Sequence, residues 1–78
     1  MLWLPEVRRI MCSVMTVSPD DIRAETVPND IAAWDSLTHL MLVLAIEDEF
    51  HISLSAAEIE RMTRVADICS IIAAKSGA

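Results

Sequence analysis

The sequence predicts an all-α fold: a small four-helix bundle of three longer helices and one short one, with a long loop between the first and second. Apolar residues recur at helical spacing in three separate stretches. No stretch makes a convincing strand. The segment between the first two helical stretches has no sustained period and carries prolines, as a loop does. At 78 residues the chain reads as one domain, 1–78, near the size at which a single core barely suffices. A deep, water-excluding catalytic cleft is hard to build at that size, which argues against an enzyme.

Glu6 to Thr16 reads as the first helix, with Pro5 acceptable at its opening turn and Val7, Ile10, Met11 and Val14 forming one buried stripe. Arg8 and Arg9 fall to the solvent side. Ser18-Pro19-Asp20-Asp21 is turn chemistry that ends the helix. From Val17 to Asp35 the chain is a long loop, unusual in so small a domain unless functional or pinned. Ile22, Val27, Ile31 and Trp34 are the expected pins.

Asp35 or Ser36 can cap a second helix running from about Ser36 to Phe50. Counting about 100° per residue separates two apolar faces along it. His39, Leu42, Val43, Ile46 and Phe50 lie on one. Leu37, Leu40, Met41 and Leu44 lie on the other, which Glu47 and Asp48 continue. A bundle this small should not bury both, so the second face either meets the long loop or stands exposed as a partner surface fringed with acid. Ser55 and Glu58 form a capping box for a short third helix to about Met62. Thr63 is expected to cap a fourth, to about Lys75, with Val65, Ile68, Ile71 and Ile72 buried, Cys69 at the edge of that stripe and Asp67 favoured by the helix dipole. Ser76-Gly77-Ala78 reads as a frayed end.

The formal net charge of -6 is concentrated in the middle of the chain: residues 24–60 hold eight acids and no Lys or Arg. A single-sign field of this kind repels nucleic acid and anionic membrane and steers the domain towards basic protein surfaces. The longest apolar run, Leu40 to Ile46, is too short to cross a bilayer, and the N-terminus lacks the basic start of a secretory signal. A soluble, cytoplasmic protein is expected, without membrane insertion. Cys12 and Cys69 are too few and too far apart for a disulfide framework or a CxxC site, and read as buried apolar side chains. His39 and His51 have no further ligand at metal spacing, and Glu47-Asp48-Glu49 lacks the alternating oxygens and glycine of an EF-hand, so no metal site is expected. Met11, Met15 and Met62 read as core fillers, whereas Met41 lies on the face opposite the core stripe.

Ser36, at the junction of loop and helix, has three readings. It can be a cap. It can be a hydrolase nucleophile, but no glycine flanks the serine as a G-x-S-x-G elbow requires, the chain's one glycine being Gly77, and no strand feeds it. It can carry a phosphate-linked group, which the positive end of a helix dipole and its free amides suit.

Asp35-Ser36-Leu37 resembles the D-S-L motif of acyl carrier proteins, small acidic four-helix bundles whose serine receives 4'-phosphopantetheine from coenzyme A. Val17-Ser18-Pro19-Asp20-Asp21-Ile22 resembles the end of that family's first helix, and Leu42 to Phe50 resembles its L-V-x-A-L-E-E-E-F run. Ile52, Ala56 to Ile59 and Thr63 to Ile72 continue the likeness over nearly the whole chain. The resemblance implies a carrier of acyl or related thioesters with Ser36 as the attachment point, flanked by Asp35 and Leu37. It further implies a phosphopantetheinyl transferase and acyl-activating or acyl-transferring enzymes with basic docking patches as partners. Leu37, Leu40, Met41, Leu44, Glu47 and Asp48 would be the docking residues of a monomer. Thr38 and Met41 stand where carriers of fatty acid synthesis usually have acids, and Trp34-Asp35-Ser36-Leu37-x-His39 is more like specialised stand-alone carriers. The competing reading is an unmodified acidic helical interaction module.

Overall fold

The computed structural model describes residues 2–76; Gly77 and Ala78 of the expected frayed end lie outside them. Four helices form: α1 (Leu4–Val14), α2 (Ser36–Phe50), the short α3 (Ala56–Glu60) and α4 (Val65–Ser76). No strand occurs among the described residues. α1 packs against both α2 and α4.

α1 is displaced by two residues from the span the spacing predicts. Pro5 takes its first turn as expected, but the chain turns extended at Met15 (φ -122°, ψ 151°), well before the Ser18-Pro19 turn. Val14, Thr16 and Val17 are β-branched and resist further helix. The extension drops Met15 into the core beside Val7, Ile10 and Met11, while Val14 is only half-buried. Arg8 does not simply face solvent: its Nε donates to the Ile22 carbonyl at 3.0 Å and ties α1 to the loop. Arg9 is exposed and meets Glu49 of α2 at 3.1 Å. At that exposure the pair contributes at most about 1 kcal/mol.

The long loop is ordered by two 3₁₀ turns, Pro19–Asp21 and Pro28–Asp30, each opened by a proline whose missing N–H costs nothing there. The Ser18 hydroxyl accepts from the Asp20 amide, and the Asp30 carboxylate accepts from the Val27 amide. Three of the four expected pins are in the core, Ile22, Ile31 and Trp34; Val27 is half-buried. Between the turns, Thr26 is buried, and its hydroxyl accepts from the Arg23 amide at 2.9 Å.

The same loop segment caps α4. The Val65 amide donates to the Thr26 carbonyl at 3.0 Å and the Ala66 amide to the Ala24 carbonyl at 2.7 Å. These are amides with no partner inside their own helix. Thr63 is therefore not the cap expected of it. Its hydroxyl donates to Asp67 Oδ2 at 2.7 Å and, with Arg64, holds that carboxyl below its ordinary pKa. Val65, Ile68, Ile71 and Ile72 are buried as expected, and Cys69 lies fully inside, where burial pushes its thiol pKa up. Cys12 is only half-buried.

α2 spans the predicted residues. His51 closes it in the left-handed region (φ 55°, ψ 48°), and the Ile52 amide reaches back to the Glu47 carbonyl at 3.2 Å, which also accepts from the His51 amide. A side chain in this region is mildly strained. Trp3, ahead of α1, is also left-handed (φ 71°) and sets its indole edge-on to Phe50, ring centroids 5.2 Å apart.

α3 opens with the expected box: Ser55 Oγ accepts from the Glu58 amide at 3.2 Å and Glu58 Oε1 from the Ser55 amide at 2.8 Å. It ends at Glu60, short of Met62, because Met62 turns inward and is buried. Lys75 of α4 places Nζ 2.9 Å from Glu58 Oε1 and joins the two helices. The Ser55 amide, followed by the Lys75 ammonium, lowers the Glu58 pKa from 4.5 to about 2. A depressed carboxylate stabilises the fold fully above its unfolded pKa and loses that contribution as pH falls through the folded one. Thermal melts by circular dichroism should therefore show stability declining from about pH 4.5 towards pH 2. Glu58→Gln should melt lower at neutral pH and flatten that part of the profile.

Candidate functional site

Ser36 is the first residue of α2, and Asp35 is the N-cap. The alternative expectations for the cap resolve in favour of Asp35, whose Oδ1 accepts from the Thr38 amide at 3.0 Å. Thr38 completes the box: its Oγ1 accepts from the Asp35 amide at 2.8 Å and donates to the Ala33 carbonyl at 2.6 Å. The Thr38 amide, followed by its hydroxyl, holds the Asp35 carboxyl below its ordinary pKa.

Because Asp35 does the capping, Ser36 does not. It is exposed, and its hydroxyl makes no hydrogen bond among the described residues. Its own amide and that of Leu37 precede the first ladder bond, which runs from His39 N to Asp35 O. The Leu37 amide lies near enough to the Asp35 carboxylate to add weakly to its lowered pKa. A phosphate-linked group on Ser36 fits this end of the helix. The hydroxyl is free, the dipole is favourable and no side chain has to be displaced.

Beside Ser36 opens a cleft of ≈ 700 Å³ between the end of the long loop, the first turn of α2 and the α3–α4 junction. Trp34, Asp35, Ser36, His39, Ile59 and Glu60 are among its walls, and no Lys or Arg lines it. Trp34 is buried and donates from Nε1 to His39 Nδ1 at 3.0 Å, the two rings being stacked at 22°. His39, expected on the core side of α2, is half-buried. Sequence reasoning placed both residues but missed their bond. An aromatic N–H five residues before a histidine was the only signal, and only the bend at Asp35 brings the pair together.

The second face of α2 is open. Leu37, Leu40, Met41 and Leu44 are 67%, 53%, 44% and 58% exposed, whereas Leu42, Val43 and Ile46 are buried. The long loop does not cover it. Asp48 is exposed at its end. Glu47 differs from the free docking acid expected: it is half-buried and its Oε2 accepts from the Leu54 amide at 2.8 Å, anchoring the chain after α2. No cluster of three or more His, Cys, Asp or Glu side chains able to hold a metal ion occurs among the described residues. No described helix is long and apolar enough to cross a membrane.

A small helical bundle with a free serine at a helix start, an open cleft beside it and an apolar face behind it has the architecture of a carrier domain. The family model for the phosphopantetheine attachment site matches residues 5–72. An acyl carrier protein of Bdellovibrio bacteriovorus is 32% identical over 95% of both chains. One of Campylobacter fetus is 29% identical over 86% of this chain and 87% of its own. The solution structure of a holo acyl carrier protein from Geobacter metallireducens superposes with a TM-score of 0.89 at 28% identity, covering 99% of this chain and 88% of that one.

The chain belongs to the acyl carrier protein family. It is a carrier of thioesters on a covalently attached 4'-phosphopantetheine and not a catalyst, and its partners are transferases and acyl-handling enzymes. The reading as an unmodified interaction module is thereby set aside.

Thr38 explains one of the departures from the usual carrier pattern. It closes the cap as a short hydroxyl. Thr38→Val keeps the shape and removes both hydroxyl bonds, so urea unfolding should show a loss of about 0.5–1.5 kcal/mol per bond removed.

Proposed function

We propose that Ser36 is the residue on which the 4'-phosphopantetheine arm is installed, with residues 1–78 acting as one cytoplasmic, monomeric carrier domain. The observation that carries this is the exposed, unbonded Ser36 hydroxyl at the first position of α2, freed by the Asp35–Thr38 box and sitting in a D-S-L context. The arm supplies a thiol that holds the cargo as a thioester. The chain's own part is to present that arm. Asp35 fixes the start of α2, Leu37 stands exposed beside the serine for recognition by the phosphopantetheinyl transferase, and the cleft gives the arm room to lie against the domain. A flexible tether then keeps the cargo at high local concentration around whichever enzyme has docked.

The docking surface on this reading is Leu37, Leu40, Met41 and Leu44, edged by Asp48 and by whatever part of Glu47 its bond to Leu54 leaves accessible. Acids at the rim set orientation and on-rate against basic enzyme patches and allow rapid release. Thr38 and Met41 remove two charges from the usual set and add an apolar contact. That shift supports a carrier of a specialised pathway in preference to housekeeping fatty acid synthesis.

Incubation with coenzyme A and a broad-specificity phosphopantetheinyl transferase should raise the intact mass by one phosphopantetheine. The gain should vanish in Ser36→Ala, and a gain that persists there would overturn the assignment. Met41→Glu should change the ranking of partner enzymes in binding assays while the helical circular dichroism spectrum stays intact.

A further inference from the structure

Apart from the free amides of the first turn of α2, the cleft beside Ser36 offers a phosphate no cationic partner. Asp35 and Glu60 both line it and no Lys or Arg does, so a phosphodiester anion on Ser36 would sit in an acidic field. His39 lines the same cleft three residues on, which on a helix makes it a surface neighbour of Ser36, with Cβ atoms about 5–6 Å apart. Its Nδ1 accepts the Trp34 Nε1–H at 3.0 Å, and an accepting Nδ1 puts the imidazole proton on Nε2. Trp34 is buried and stacked against the ring, so the ring cannot turn freely. Nε2–H has no partner among the described residues. The other hydroxyl donor on the wall, Thr63, already donates to Asp67.

We infer that His39 is a positioning residue for the group on Ser36: Trp34 orients the imidazole through Nδ1, so that Nε2–H donates to a phosphodiester oxygen and holds the base of the arm over the cleft. The inference rests on Ser36 being the attachment point. It assigns Trp34 two tasks, filling the core and selecting the tautomer that donates. It also accounts for a phosphate being tolerated beside Asp35 and Glu60 with no cationic side chain lining the cleft.

The test uses protein loaded with phosphopantetheine and reads ³¹P resonances alongside long-range ¹H–¹⁵N spectra of the histidines. Wild-type protein should show His39 protonated at Nε2 and accepting at Nδ1. In loaded His39→Phe the ³¹P resonance should move towards that of a phosphodiester free in buffer. His39→Gln, whose carboxamide can still donate, should restore most of the shift, and Asn29→Ala, on another wall of the cleft, should leave it in place. A merely structural histidine would alter the melting temperature of the Phe variant without moving the ³¹P resonance. An unchanged resonance in loaded His39→Phe overturns the role of His39 alone, as does a shift that follows Asn29→Ala instead. If wild-type protein gains no mass on incubation with the transferase, the attachment point and this inference fall together.

Discussion

The rotational phase of α2 is the constraint on which the rest depends. Both of its faces are apolar, and a core this small can take only one. Leu42, Val43 and Ile46 are inside. Each fully buried side chain of this kind contributes roughly 1.5–3 kcal/mol, so three of them hold the helix firmly in one orientation. Burying the four residues opposite would yield a comparable gain, and hydropathy alone does not separate the faces. An acid separates them: Asp48 continues the outer face and is exposed, and desolvating an unpaired carboxylate costs far more than a leucine returns. Once the phase is set, Leu37, Leu40, Met41 and Leu44 are turned outward as a consequence.

The start of α2 is fixed as tightly as its phase. A helix can slide its first residue by one or two positions when several capping side chains compete, and here both Asp35 and Ser36 could cap. The reciprocal Asp35–Thr38 bonds and the Thr38 bond to Ala33 settle the matter and leave the serine hydroxyl without a structural duty. A serine used as a cap would have its oxygen occupied by an amide. The free hydroxyl on which the proposed site rests is therefore made by its neighbour. Replacement of an acid by Thr38 alters the surface charge without giving up the box.

The long loop serves as a structural member. Its apolar pins enter the core, and its backbone carbonyls at Ala24 and Thr26 take the first amides of α4. Arg8 then ties it to α1 through Ile22. A segment that holds two helices together can also hold one wall of the cleft still, which is how Trp34 comes to sit against His39. A mobile loop could not select one histidine tautomer.

Much of this was determined by the sequence alone. Helical spacing defined α2 and its two faces, Ser55 and Glu58 marked the start of α3, and Asp35-Ser36-Leu37 pointed to the serine. These are local signals, carried by residues within a turn or two of one another. Tertiary structure decided what depends on distant partners. α1 ends early because Met15 is drawn into the core, and α4 is capped by carbonyls about forty residues upstream of it instead of by Thr63. Glu47 turns to the Leu54 amide, and Trp34 meets His39 across the bend at Asp35. Backbone carbonyls have no letter in the sequence and a bend has no periodicity, so these contacts exist only once the chain has folded.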